Sequence, residues 1–151
     1  MNAVLEATEK EEQLVAFRLA NEIYGVDISV IHEIIRLHEI TQIPRTSPDI
    51  EGVVNLRGRI VPILDLRKRL ELPAAERTGG TRIIVVTIRE CTVGMVVDSV
   101  IGVVKLPESR IEPPSPLVSD LETDFIRGVG KMDDNLVILL NIQKVLRAEM
   151  E

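Results

Sequence analysis

The chain has 151 residues and a formal charge of −6, and 45% of its residues are apolar although only 2% are aromatic. A domain of this size can bury a single core, and with so few aromatic residues that core must be built from Val, Ile and Leu, of which the β-branched residues favour strands. An acidic chain with no Trp, one Tyr and two Phe lacks both the basic field and the stacking surfaces of a nucleic-acid-binding protein. We therefore expect one β-rich domain and no nucleic-acid partner.

Residues 1–12, MNAVLEATEKEE, are expected to form a flexible tail ahead of the folded domain. They lack the basic start and apolar run of a signal peptide, and no apolar stretch of 18 residues follows. These features predict a cytoplasmic protein with no direct insertion into a membrane. Cys91 is the one cysteine, which excludes an intrachain disulfide and a multi-cysteine metal site, and we expect a buried, unreactive thiol.

The two halves of the chain resemble each other. Residues 14–25, LVAFRLANEIYG, align with residues 83–94, IIVVTIRECTVG, at a shift of 69 positions. Residues 50–66, IEGVVNLRGRIVPILDL, align with residues 126–142, IRGVGKMDDNLVILLNI, at a shift of 76. Each half predicts a hairpin, a strand, a proline-containing connection and a second hairpin. The duplication predicts two small barrels that pack about a pseudo-twofold axis, the first mostly within residues 13–75 and the second mostly within residues 80–142.

Turns and caps follow from the same alignment. The predicted hairpin turns are Asn21-Glu22, Arg57-Gly58, Glu90-Cys91 and Asp133-Asp134-Asn135. Asp65 and Asn141 are predicted N-caps, the first of a single helical turn and the second of a terminal helix over residues 142–150.

Two segments between these elements are less regular. Residues 27–38, DISVIHEIIRLH, predict a turn of helix followed by a strand. Four prolines lie between residues 107 and 116, and polar residues continue to residue 124, so we expect an irregular surface connection there.

No constellation of catalytic or metal-binding residues is apparent. His32 and His38 have no neighbouring set of ligands, and consecutive aspartates such as Asp133 and Asp134 are typical of a turn. Phosphate-binding loops, nucleophile elbows and dinucleotide fingerprints are missing. We expect no enzyme activity, no metal and no cofactor, although a barrel that binds a small ligand, or a site assembled from scattered residues, remains an alternative.

Residues 52–67, GVVNLRGRIVPILDLR, closely resemble the signature of the CheW family of chemotaxis coupling proteins. YGVDISVIHEII (24–35), VGMVVDSVIGVV (93–104) and LVILLNIQKVL (136–146) resemble the family in the same order. The resemblance covers nearly all of residues 13–147. It implies a mainly all-β fold over residues 13–148, made of two interlocked, five-stranded, SH3-like barrels.

The resemblance also implies a function. Proteins of the family are non-enzymatic adaptors that bridge the cytoplasmic tips of methyl-accepting chemotaxis receptors to the regulatory domain of the histidine kinase CheA. We therefore expect a cytoplasmic protein that is a monomer when free and is recruited to membrane receptor arrays. A scaffold of the same fold in another sensory or motility pathway is the nearer alternative.

Candidate contact residues are carried over from the family. The receptor-facing set is Ile28, Ile31, Glu33, Ile34, Asn55, Arg57, Gly58 and Val100, and the kinase-facing set is Arg82, Gly94 and Gly102. The apolar members could equally be core residues, Arg57 could be a solvated turn residue, and Gly94 could be structural because it aligns with Gly25.

Overall fold

Short runs of Val, Ile and Leu form strands in the computed structural model, which describes residues 10–44, 48–114 and 125–146. The strands are β1 (Glu11–Leu19), β2 (Glu22–Asp27), β3 (Ile31–Arg36), β4 (Ile50–Leu56), β5 (Arg59–Asp65), β6 (Arg82–Ile88), β7 (Cys91–Val97), β8 (Ser99–Pro107), β9 (Ile111–Glu112), β10 (Ile126–Met132) and β11 (Asn135–Leu140). The helices α1 (Leu66–Arg69) and α2 (Ile142–Val145) are short, and 3₁₀ turns occupy Ile28–Val30 and Glu108–Arg110. Over the described residues, none of the helices has the length and apolarity needed to cross a bilayer.

The strands form two curled sheets, which confirms the mainly all-β prediction. The five-stranded sheet has the order β3-β6-β7-β5-β4, and the six-stranded sheet has the order β8-β1-β2-β11-β10-β9. Each sheet takes strands from both halves of the chain, because the first hairpin of one half lies parallel to a strand of the other half's second hairpin. The sheets therefore do not follow the partition into residues 13–75 and 80–142. The hairpin exchange interlocks the two barrels.

The internal duplication is visible in the strand register. Leu139 pairs with Gly25 where β11 runs parallel to β2, and Ile63 pairs with Gly94 where β5 runs parallel to β7. These residues are related by the same shifts of 76 and 69 positions that align the two halves of the sequence. Each strand of the five-stranded sheet thus has a counterpart in the six-stranded sheet.

Three hydrophobic clusters fill the molecule. One lies inside each barrel, with Ile63 and Ile83 in the five-stranded barrel and Ala16 and Leu139 in the six-stranded barrel. The largest cluster, here called the central cluster, joins the two sheets, and its buried members are Val15, Phe17, Leu19, Tyr24, Val26, Leu64, Leu66, Leu70, Ile84, Val86, Ile88, Val93, Met95, Val97, Leu140, Ile142, Val145 and Leu146. Its extent explains how two small barrels form one domain, since each supplies apolar surface that the other covers.

The turn at Arg57-Gly58 and both helix caps are confirmed, and the turn predicted at Asp133-Asp134-Asn135 is confirmed except that Asn135 already belongs to β11. Arg57 and Gly58 form one tight turn, and Asp133 and Asp134 form the other. The carboxylate of Asp65 accepts hydrogen bonds from the N–H groups of Arg67 and Lys68, and the side chain of Asn141 accepts one from Lys144. Of the predicted terminal helix over residues 142–150, the structure describes Ile142–Val145, and the positions after 146 lie outside the described residues.

The first-hairpin turns were predicted one residue too late. They consist of Ala20-Asn21 and Arg89-Glu90, because Glu22 and Cys91 already belong to strands β2 and β7. Cys91 is half-buried rather than buried.

Of the two irregular segments, the first matches its prediction and the second is more regular at its start than the sequence predicted. The turn of helix and the strand predicted over residues 27–38 are confirmed by Ile28–Val30 and β3. The prediction of an irregular connection from Pro107 is wrong at its start, because β8 extends to Pro107 and β9 then pairs with β10. Residues 115–124 of this connection lie outside the described residues.

Candidate functional site

Two edge strands present apolar side chains beside the central cluster. β3 is at one edge of the five-stranded sheet, and a bulge leaves His32 without an opposite residue. Ile31 is opposite Val86 and Ile34 is opposite Ile84. Directly opposite residues point to the same face of a sheet, so the bulge turns Ile31 and Ile34 toward the face that carries the central cluster.

β8 repeats this arrangement at one edge of the six-stranded sheet. Its bulge residue is Ile101, with Val100 opposite Phe17 and Val103 opposite Val15. Phe17 and Val15 belong to the central cluster. Val103 was absent from the predicted receptor-facing set, although the sequence contained the signal, because Val103 is Ile34 shifted by 69 positions.

We call these two rows the edge strips, with Ile28, Ile31 and Ile34 on the first and Val100 and Val103 on the second. Ile28, Ile31 and Val100 are half-buried and pack against the central cluster. The inward-facing part of each side chain therefore belongs to the core. Ile34 and Val103 are 39% and 58% exposed. The strips therefore continue the central cluster to the surface as an apolar area on both edge strands.

The predicted polar residues lie together next to the first strip. Arg57 and Gly58 have φ of +53° and +84°, the pair of positive values that a two-residue type I′ hairpin turn requires. The N–H of Gly58 donates to Asn55 Oδ1 at 2.8 Å, which fixes the turn. At its tip Arg57 Nη2 donates to Glu33 Oε2, and His32 Nε2 lies 3.6 Å from the same oxygen.

The ion pair between Glu33 and Arg57 spans the seam between β3 and β4, the two end strands of the five-stranded sheet. The side chain of Arg57 is mostly exposed, so the pair contributes at most about 1 kcal/mol to stability. Within the described part of the chain, Glu33 is the one hydrogen-bond partner found for the Arg57 guanidinium, which leaves most of its five N–H donors facing solvent. The counterparts of Glu33 and Arg57 in the second half are Gly102 and Asp133, which cannot form such a pair.

Backbone contacts close the same seam. Thr41 and Val53 exchange two hydrogen bonds of 2.9 and 2.8 Å, outside the regular strands. A Cβ atom on Gly52 would lie 2.1 Å from the carbonyl oxygen of Thr41, and Gly52 has φ of +153°. The close approach therefore requires glycine, and it anchors the β4–β5 hairpin that carries Arg57.

The three kinase-facing candidates do not share a surface. Gly94 is buried, and a Cβ atom there would lie 2.7 and 2.8 Å from side-chain atoms of Ile63 and Ile83, so its role in the fold is to permit packing. Arg82, at the start of β6, donates to the carbonyl oxygens of its own loop. Gly102 lies in the other sheet, with φ of +143° and open space where a side chain would project.

The small-ligand alternative finds little support in the cavities. Both barrel interiors are filled by their hydrophobic clusters. A depression of about 750 Å³ is lined in part by Leu37, Ile43, Lys68 and Arg77 and is open to solvent rather than enclosed. In residues 10–44, 48–114 and 125–146 no three His, Cys, Asp or Glu side chains are grouped so that they could hold a metal ion.

Comparison with known proteins agrees with this geometry. The CheW-like domain family model matches residues 13–150. The Chemotaxis protein CheW of Klebsiella aerogenes is 36% identical over 138 residues, which cover 91% of this chain and 83% of that protein. The Chemotaxis protein CheW of Bacillus subtilis is 34% identical over 139 residues, 91% of this chain and 88% of that protein. The crystal structure of the scaffolding protein TtCheW from Thermoanaerobacter tengcongensis superposes with a TM-score of 0.81 at 40% identity, covering 87% of this chain and 90% of that one.

Proposed function

The chain belongs to the CheW-like family, and on that ground we propose that it is a non-enzymatic adaptor coupling methyl-accepting chemotaxis receptors to the histidine kinase CheA in a bacterial chemosensory array. The observation that carries the proposal is the pair of apolar edge strips, the first of them next to the exposed Arg57, on a chain that matches the family over residues 13–150. The adaptor works in the cytoplasm, is a monomer when free, and needs neither cofactor nor catalytic group.

The edge strips are the proposed docking surface for the helical tip of a receptor. A helix is held in a groove by apolar anchors that recur every three or four residues, and these need apolar partners on both sides. Ile34 and Val103 offer the most exposed apolar surface for such anchors, while Ile28, Ile31 and Val100 form the floor. Docking would remove this surface from water, which is a favourable change.

Arg57 supplies the proposed polar contact. Glu33 engages one side of the guanidinium, and the remaining N–H donors can bind an acidic or carbonyl group of the partner. Asn55 and Gly58 set the turn that positions Arg57, so we assign them a supporting role in receptor binding.

The kinase would bind through its regulatory domain. Arg82 and Gly102 are retained as candidate contacts, one in each sheet, and Gly102 lies on β8 between Val100 and Val103. Gly94 has no exposed surface to offer and would act through packing alone.

Reconstitution tests the proposal. The chain is mixed with CheA and a receptor cytoplasmic fragment, each separately and then together, and kinase autophosphorylation is measured. We expect receptor-dependent stimulation only when all three are present. Binding to neither protein would refute the proposal, and ATP hydrolysis by the purified chain alone would contradict the non-enzymatic assignment.

A further inference from the structure

The chain crosses between the two sheets at two pseudo-equivalent places. After β2 it passes through the 3₁₀ turn Ile28–Val30 into β3, which carries the first edge strip. After β7 it passes through the single residue Asp98 into β8, which carries the second edge strip. The direction in which the chain leaves each crossover therefore sets where each strip lies.

Asp98 is held by both its backbone and its side chain. Its N–H donates to the carbonyl oxygen of Arg18 at 3.0 Å. Its carboxylate accepts the N–H of Ala20 at 2.8 Å, and it accepts two hydrogen bonds from the Arg67 guanidinium, from Nε at 2.9 Å and from Nη2 at 2.5 Å. Arg18 and Ala20 belong to the first hairpin of the six-stranded sheet, whereas Arg67 belongs to α1, which follows β5 of the five-stranded sheet. One carboxylate thus joins the two sheets at the crossover.

The geometry of this contact is that of a strong ion pair. It is a two-pronged arginine–carboxylate contact, and the side chains of Arg67 and Asp98 are 16% and 32% exposed. The hydrogen bond from Arg67 lowers the pKa of Asp98 below its ordinary value, against the opposing effect of burial. Arg67 also donates from Nη1 to the carbonyl oxygen of Pro73 at 2.6 Å, which restrains the guanidinium on its other side.

We call the ion pair of Asp98 with Arg67 the lock. The other crossover, from β2 to β3, has no counterpart of it. Shifts of 69 and 76 positions make Ser29 the counterpart of Asp98 and Gln143 the counterpart of Arg67. The N–H of Ser29 donates locally to Asp27 Oδ1 at 2.9 Å. Over the stretches of chain that the structure describes, no hydrogen bond or ion pair links Ser29 to Gln143. The duplicated fold thus crosses from β2 to β3 without a charged pair. Folding requirements that the two halves share therefore do not explain why Asp98 and Arg67 are present.

We propose that Asp98 and Arg67 are positioning residues for partner binding, and that their pair fixes the spacing between the two edge strips. Val100 is only two residues beyond Asp98, so a change in the direction of the crossover moves the second strip relative to the first. This proposal rests on the proposed function, because it treats the edge strips as the surface that a helical receptor tip occupies.

The spacing can be measured without any partner. Cysteines are introduced at His32 and Ile101, the two exposed bulge residues, in a Cys91→Ser background, and pulsed spin-label spectroscopy measures the distance distribution between them. We expect Asp98→Asn and Arg67→Gln to broaden or shift the distribution. Arg67→Gln keeps the hydrogen bonds between Asp98 and the backbone of the first hairpin, and glutamine is the residue at the equivalent position, 143. It therefore gives an informative result even if Asp98→Asn folds poorly.

Asp49→Asn is the matched control. Asp49 Oδ2 accepts from Arg69 Nε at 2.7 Å, and these side chains are 27% and 9% exposed, a burial similar to that of the proposed lock but away from the crossover. The control should lose comparable stability in urea without altering the distance distribution. Distributions identical to that of the parent protein in both lock variants would overturn the proposal.

Binding gives the second test. A receptor cytoplasmic fragment containing the helical tip is titrated into each unlabelled variant, at a temperature where all are folded by circular dichroism. We expect at least tenfold weaker binding for Asp98→Asn and Arg67→Gln, and binding within twofold of the parent for Asp49→Asn. Equal binding by all three refutes the positioning role. If the parent itself does not bind, the receptor-coupling proposal fails, and the spin-label distances still decide whether the pair sets the strip spacing.

Discussion

Val103→Asp separates partner binding from folding most cleanly, because Val103 is the most exposed member of the edge strips. Its side chain is 58% exposed, so about two-fifths of it is buried in the free protein. Full burial of a valine is worth about 1.5 kcal/mol, and the substitution therefore forfeits roughly 0.6 kcal/mol of burial. The poorer strand propensity of aspartate adds up to about 1 kcal/mol. The variant should fold, with a slightly lower urea midpoint.

Binding should respond far more strongly than stability. A carboxylate at Val103 would lose its hydration when an apolar helix covers the strip, and a buried unpaired charge costs several kcal/mol. A cost of about 3 kcal/mol corresponds to roughly hundredfold weaker binding. The assay is calorimetric titration with a receptor cytoplasmic fragment, alongside urea unfolding of the same preparation.

Leu136→Asp provides the matched control. Leu136 is 55% exposed, and its strand, β11, lies three strands away from β8 in the same sheet, a separation of about 14 Å. It should show the same modest loss of stability and unchanged receptor binding. If Val103→Asp binds as well as Leu136→Asp does, the edge strips are not the docking surface. Ile31→Asp is less informative, because Ile31 is half-buried opposite Val86 and its loss would destabilise the core.

Three further predictions concern the seam, the turn and the crossover. Gly52→Ala should cost about 3 kcal/mol or more in urea unfolding, because its Cβ would overlap the carbonyl group of Thr41. Arg57→Asp should cost at most about 1 kcal/mol yet weaken receptor binding at least tenfold, and the double variant Glu33→Lys, Arg57→Asp should regain stability without regaining binding. Because the pKa of Asp98 is lowered in the folded protein, the stability advantage of the parent over Asp98→Asn should be constant above about pH 5 and shrink as the pH falls below 3.8.

Each of these has a control or an outcome that contradicts it. Gly58→Ala meets open space at φ of +84°, so it should cost only about 1 kcal/mol, and an equal loss in both glycine variants would show that crowding at the seam is unimportant. Recovery of receptor binding in the charge-reversed double variant would mean that Arg57 serves the fold alone. A stability difference between parent and Asp98→Asn that stays flat from pH 7 to pH 3 would show that the ionised pair contributes nothing.

The sequence predicted those features that depend on neighbouring residues. The caps at Asp65 and Asn141 and the turn at Arg57-Gly58 are set by local backbone needs, and all three are present. The hairpin exchange could not be predicted from the duplication. In two similar halves, the strands of one half can pair with each other or with the equivalent strands of the other half, in the same register. The shared face of Ile31 and Ile34 depends on the bulge at His32, and strict alternation would have separated them.

The kinase-facing candidates were carried over from a linear motif without any test of whether they meet in space. Gly94 fits the structural alternative that the sequence left open, because a glycine can be required by the side chains that pack over it as readily as by a partner. Val103 illustrates the opposite error, since it was not among the contact residues carried over from the family, yet the repeat relates it to Ile34. Internal symmetry was thus the better guide to position, while the roles carried over from the family stay predictions.

The duplication also separates what the fold requires from what only one half possesses. The parallel pairing of Ile63 with Gly94 recurs as that of Leu139 with Gly25, so both barrels need it. The ion pair of Glu33 with Arg57 occurs in one half only. A feature needed solely for a small barrel to close would be needed twice, yet the second barrel closes without it. The asymmetric charges are therefore better explained by binding to a partner than by closure of the barrel.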